Sequence, residues 1–203
     1  MANFSRSGAY KARKTVGNLA GGVVGYGGAA ALGALAYRAY QNWQANQEAQ
    51  PAATPQSIET RQPLPLPPPD SNFMPGNAPG RDGKPFELAL VKAMVGAAAA
   101  DGHIGRDEQQ QIFSHVAQLP LDADDKAFVF DALKTPPDVV TIAALANGPE
   151  QAAELYLASR LALDPSGPME AAYLRKLAHG LALPPDLVAH LDMQAAAPKR
   201  AAA

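Results

Sequence analysis

Pro149-Glu150-Gln151-Ala152-Ala153-Glu154-Leu155-Tyr156-Leu157-Ala158-Ser159-Arg160-Leu161-Ala162-Leu163 is the stretch that sets the class of fold. Ala152, Leu155, Tyr156, Ser159 and Leu163 recur at intervals of three and four, the spacing of one helix face. Proline is tolerated at a first helical position, where its missing N–H has no partner to lose, so Pro149 marks the start. Upstream, Val139, Ile142, Ala143 and Ala146 predict a short helix ending at Asn147-Gly148. Downstream, Pro168 opens a helix with the stripe Tyr173, Leu174, Leu177 and Leu181, and Pro184-Pro185-Asp186 opens another with Leu187, Val188 and Leu191.

The pattern continues back to residue 86. Leu90, Val91, Met94, Ala97 and Ala98 form a helical stripe closed by Asp101-Gly102. A second helix starts near Arg106-Asp107-Glu108, whose acids suit the positive end of the helix dipole, and carries Ile112, Phe113, Val116 and Leu119 up to Pro120. Asp122 and Asp125 cap a third with Ala127, Phe130 and Leu133, which halts at Thr135-Pro136-Pro137. No run alternates apolar and polar as a strand would. Residues 86–195 therefore predict an all-α compact bundle of about seven short helices, long enough to bury one core, with an Ala-rich tail at 196–203.

Outside the bundle the chain changes character. Residues 1–46 carry five Lys/Arg and no acid; 47–85 carry four acids and three bases; 86–203 carry fifteen acids and nine bases. A net charge of -2 over 203 residues thus conceals a basic head and an acidic body. Ten prolines lie between Pro51 and Pro85, including Pro63-Leu64-Pro65-Leu66-Pro67-Pro68-Pro69. Each lacks a backbone donor and holds φ near the polyproline value, which predicts a disordered, extended spacer over 44–85. The absence of cysteine excludes disulfides, thiolate zinc and a cysteine nucleophile.

Behind the basic segment 1–14, residues 15–43 predict a membrane helix. The 22 residues Val16 to Tyr37 contain no acidic or basic side chain, and as a helix they would measure about 33 Å. Gly17, Gly21, Gly25, Ala29 and Gly33 recur every fourth residue, a small-residue face that admits a second helix closely and points to self-association or another membrane helix as partner. Arg13 and Lys14 precede the span and Tyr37, Arg38, Tyr40 and Trp43 follow it, as interfacial anchors do. Four cations before the span against one just after predict a cytoplasmic amino terminus and a periplasmic body. A cleavable signal peptide with Ala34-Leu35-Ala36 as its small-residue site, and a peripheral Gly/Ala segment, are the alternatives.

The turn Asp101-Gly102-His103-Ile104-Gly105-Arg106-Asp107-Glu108 has the Gly, the following apolar residue and the closing Glu of half a calcium loop, but alanine stands where the first carboxylates belong. Leu163-Asp164-Pro165-Ser166-Gly167-Pro168-Met169-Glu170 echoes it, at a spacing near 63 residues that also relates Leu119-Pro120-Leu121-Asp122 to Leu183-Pro184-Pro185-Asp186. Asp101, Glu108, Asp164 and Glu170 are the candidate ligands for a divalent cation. The bland alternative is a pair of turns whose carboxylates serve nearby amides and the next helix. His103, His115, His179 and His190 have no ligand spacing, and no phosphate loop, metalloprotease pair or nucleophile elbow is present, so no catalytic residue is named and an undetected hydrolase ranks last. The acidic body disfavours nucleic acid, and the basic head suits anionic lipid.

These residues also carry a resemblance. Ala98-Ala99-Ala100-Asp101-Gly102-His103-Ile104 with Glu108, Pro149 to Tyr156, Leu163-Asp164-Pro165 with Glu170-Ala171-Ala172-Tyr173-Leu174, and the head ending Leu35-Ala36-Tyr37-Arg38-Ala39-Tyr40-Gln41 together resemble the TerB-like, tellurite-resistance-related helical superfamily, and within it the YebE-like inner-membrane family of unknown function. The resemblance implies an all-α fold, a single-pass protein of the bacterial inner membrane, and links to metal binding and stress responses. The expected activity is that of a membrane-tethered, non-enzymatic interaction or envelope-stress module, with a metal-ion sensor built on the acidic turns as the alternative.

Overall fold

A computed structural model describes residues 28–48, 66–74, 76–102, 104, 110, 123–163 and 167–196. Those residues form helices and turns without a strand: α1 (Gly28–Glu48), α2 (Phe86–Ala98), α3 (Ala123–Lys134), α4 (Val139–Ala143), α5 (Pro149–Ala162), α6 (Pro168–Gly180) and α7 (Pro185–Ala196). The helix expected near 106–119 and the ladder positions Gly17, Gly21 and Gly25 lie outside the described residues.

α5 is the axis of the bundle. It packs against α1, α2, α4, α6 and α7, and every side chain from Gln151 to Ser159 is buried. A helix enclosed on all sides must satisfy its polar groups from its neighbours, and most of these are. The Gln151 carboxamide accepts from the Asn147 N–H at 2.9 Å and donates to the carbonyls of Ala78 and Pro79. The Ser159 hydroxyl donates to the Ala93 carbonyl of α2 at 3.2 Å. The start is as the sequence predicts: Gly148 adopts φ 127°, a backbone that side chains rarely tolerate, and Pro149 takes the first helical position.

α2 lies between α5 and α3, and its second side forms a small separate core of Leu88, Val91, Val95 and Ala98 with Val129. Among the described side chains of α3, Val129 is buried, while Phe130, expected inside, is half exposed. Gly96 lets α4 close on α2: a methyl there would fall 2.6 Å from the Ile142 Cδ1 and 2.8 Å from the Pro137 carbonyl oxygen. Asp138 caps α4 by accepting from the Thr141 N–H at 2.7 Å, and the Thr141 side chain, then this N–H, hold its carboxyl below the ordinary value.

Two parts of the chain outside residues 86–195 join this core. α1 packs on α5 and α7 and buries Leu32, Ala36 and Ala39. Its apolar part, Gly28 to Tyr37, spans about 15 Å at the rise of an α-helix, and the remainder to Glu48 is polar. Among the described residues no helix is long and apolar enough to cross a membrane. The 66–85 segment, expected as an extended spacer, is a chain of turns held to the body. Proline gives no N–H but its carbonyl still accepts: the Ser71 N–H reaches Pro68 at 2.9 Å and the Asn77 amide reaches Pro69 at 2.7 Å. The Arg81 N–H bonds the Leu145 carbonyl at 2.9 Å, and Phe73, 3% exposed, plugs into the core.

Candidate functional site

α5 presents two faces with different chemistry. Toward α1, the small-residue stripe makes close contact: Gly33 lies so near the Phe73 carbonyl that no methyl fits between them, and its missing side chain also opens toward Glu154 Oε2. Tyr37 and Tyr40 hold the Phe73 ring, each with centroids 5.6 Å away at tilted angles, and Trp43 packs on Tyr40 at 5.2 Å. The rings expected as lipid-interface anchors thus clamp the Pro-rich turn. Beneath this layer Glu154 is 2% exposed, with Oε1 unpartnered. Burial, reinforced by the negative charges of Glu87 and Glu150, pushes its carboxyl well above the usual range, so it binds its proton more tightly than an exposed glutamate does.

Toward α6 and α7 the same helix lines an open groove of about 790 Å³. Its floor is apolar, with Leu174 and Ala178 from α6 and Leu183 and Val188 from the α7 side. Its polar groups converge on Asp192: the Tyr156 hydroxyl donates to Oδ1 at 3.0 Å and the Arg160 Nε donates to the same oxygen at 3.2 Å. Burial, and then the Asp192 charge, raise the Tyr156 phenol, which stays protonated and able to donate. Arg175 and His179, one helical turn apart on α6, complete the rim and are exposed. The α6–α7 turn beside the groove holds Ala182 at φ 53°, where glycine is the usual residue, with the Leu183 N–H reaching back to the Ala178 carbonyl at 3.0 Å.

Of the four residues singled out for a cation, Asp101 and Glu170 are among the described residues. Asp101 is half-buried in the turn after α2, and Glu170 stands in the first turn of α6, its carboxylate folded against Gly167 at the helix start. Glu108 and Asp164 lie outside the described residues, and among the described residues no three His, Asp or Glu side chains are grouped to hold a metal. His179 lines the groove, and His190 meets Asn46 of α1 at 3.1 Å through Nε2. Sequence reasoning passed over Arg160, Arg175, Asp192 and Glu154. The one signal for the groove was Tyr156 and Arg160 at i and i+4 on a helix already read as packed.

Comparison with known proteins places the chain among uncharacterised relatives. It is 34% identical over 98 residues to an uncharacterised protein in the ampR 5′ region of Yersinia enterocolitica, a match covering 48% of this chain and 70% of that protein. No solved structure matches. The family described as protein of unknown function, DUF533, matches over residues 5–195, nearly the whole length, and the chain belongs to that family.

Proposed function

We propose that the protein is a membrane-tethered, non-enzymatic TerB-like domain of the YebE-like kind, acting as an interaction module at the bacterial inner membrane. The observation that supports this reading is the close approach at Gly33, where the fourth-residue ladder offers a shallow face that takes the Phe73 carbonyl and has the form that admits a second helix. Gly17, Gly21 and Gly25 continue the same spacing toward the basic head, whose charge suits anionic lipid. The tether and the docked α1 draw on the same residues, Gly28 to Tyr37. Insertion of the whole 22-residue apolar stretch would require α1 to leave α5, its small face passing from Phe73 to lipid or to a second helix.

Fractionation tests the reading. The full chain is expected in the membrane fraction after a carbonate wash, and a chain beginning at Gly28 is expected to be released. A full chain recovered in the soluble fraction overturns it.

A further inference from the structure

The groove between α5, α6 and α7 has a chemistry that the tether does not use. We propose that it binds a single-chain carboxylate amphiphile, a long-chain fatty acid, with the acyl chain on the apolar floor and the carboxylate at Arg175 and Arg160. The inference goes beyond the tether reading and does not depend on it.

Three observations select this ligand. The first is charge: residues 86–203 hold fifteen acids against nine bases, yet the groove gathers two guanidinium groups against the single carboxylate of Asp192. Asp192 accepts from the Nε of Arg160, and Arg175 makes no ion pair among the described residues, so the surplus is one positive charge, suited to a monoanion. The second is donor supply. Only the Nε of Arg160 is engaged among the described residues, which leaves its terminal donors and the whole guanidinium of Arg175 for a planar carboxylate.

The third is the wall. All three sides are helices whose amides bond internally, so an extended peptide laid in the groove would lose its water hydrogen bonds without replacement. An acyl chain has no such groups to satisfy. The volume, about 790 Å³, falls within the range of about 300–1,000 Å³ found for small-molecule sites.

Methionine positions supply the readout. Met193 lines the groove, while Met169 is 59% exposed and lies outside its lining. Oleate is titrated below its micellar concentration into the full chain labelled at methionine methyls. The Met193 signal is expected to shift saturably and the Met169 signal to stay. Arg175→Glu, an exposed change expected to leave the melting temperature in place, should weaken oleate about tenfold, the scale of one charge-assisted contact. Methyl oleate, which keeps the chain and loses the charge, should weaken by a similar factor. Equal, non-saturating shifts at both methionines would mean partition only and overturn the proposal, as would unchanged affinity in Arg175→Glu or for the methyl ester. None of these outcomes alters the fractionation result, so the two readings fail separately.

Discussion

Glu154 and Asp192 are both acids held against α5, and they have opposite fates. Glu154 is sealed under α1 with an oxygen that nothing bonds, beside Gly33 and in the field of Glu87 and Glu150. Asp192 sits at a groove edge, its side chain 43% exposed, and takes two donors on one oxygen. A carboxyl with neither water nor a partner holds its proton more tightly than an ordinary one. The α1 face is thus closed over α5 mainly by packing, and the groove face is held by directional bonds and left open. Each prediction below removes one term from that contrast.

The largest effect is expected at Phe73. It is 3% exposed and joins the turn segment to Tyr37 and Tyr40 of α1. Phe73→Ala should cost about 3–5 kcal/mol by denaturant unfolding, and hydrogen exchange should show α1 amides losing protection while α6 and α7 keep theirs. If α6 loses protection equally, the two faces are not separable. Gly33→Val comes next, because its branched side chain must displace the Phe73 carbonyl. Overpacking there is expected to cost about 1–3 kcal/mol, again with exchange confined to α1.

How far these contacts could be read in advance depends on their range. Helix starts at Pro149, Pro168 and Pro185 were readable because proline acts on its own few residues. The every-fourth small face of α1 was readable as a packing surface, but spacing alone does not say whether lipid, another helix or Phe73 fills it, since each needs the same shallow groove. Glu154 was not readable. Its burial is caused by a helix more than one hundred residues earlier in the chain, and within α5 it looks like an ordinary exposed acid four residues from Glu150. The groove was equally hidden, because Arg160, Arg175 and Asp192 converge only once three helices have packed.

The third prediction concerns pH and sharpens the contrast directly. The carboxyl of Glu154 ionises well above 4.5 in the folded protein and near that value in the unfolded chain. The folded state therefore binds this proton more tightly. Its contribution is fully present below the unfolded pKa and is lost as pH climbs toward the folded one. Glu154→Gln, neutral at every pH, should flatten that decline, and the difference between variant and parent in urea unfolding should move in favour of the variant from pH 4.5 upward. A parent stability that rises over this interval, with the same slope in the variant, would show that α1 does not seal Glu154.

The smallest effect is expected at Asp192. Asp192→Asn keeps an oxygen at the position that accepts from Tyr156 and Arg160, so geometry survives and charge does not. Water already reaches the site and screens the ion pair, so the loss of stability should be about 1 kcal/mol or less. Part of the upward push on the Tyr156 phenol comes from the Asp192 charge, after burial. Spectrophotometric titration should therefore show this tyrosine ionising at lower pH in the variant, still above an ordinary phenol because burial persists. The comparison with Glu154 turns on that asymmetry: at the groove, changing an acid alters a titration and barely alters the fold, while under α1 it alters how the fold responds to pH. An Asp192→Asn loss comparable to Phe73→Ala would mean that the bonded edge, and not the packed seam, holds α5 in place.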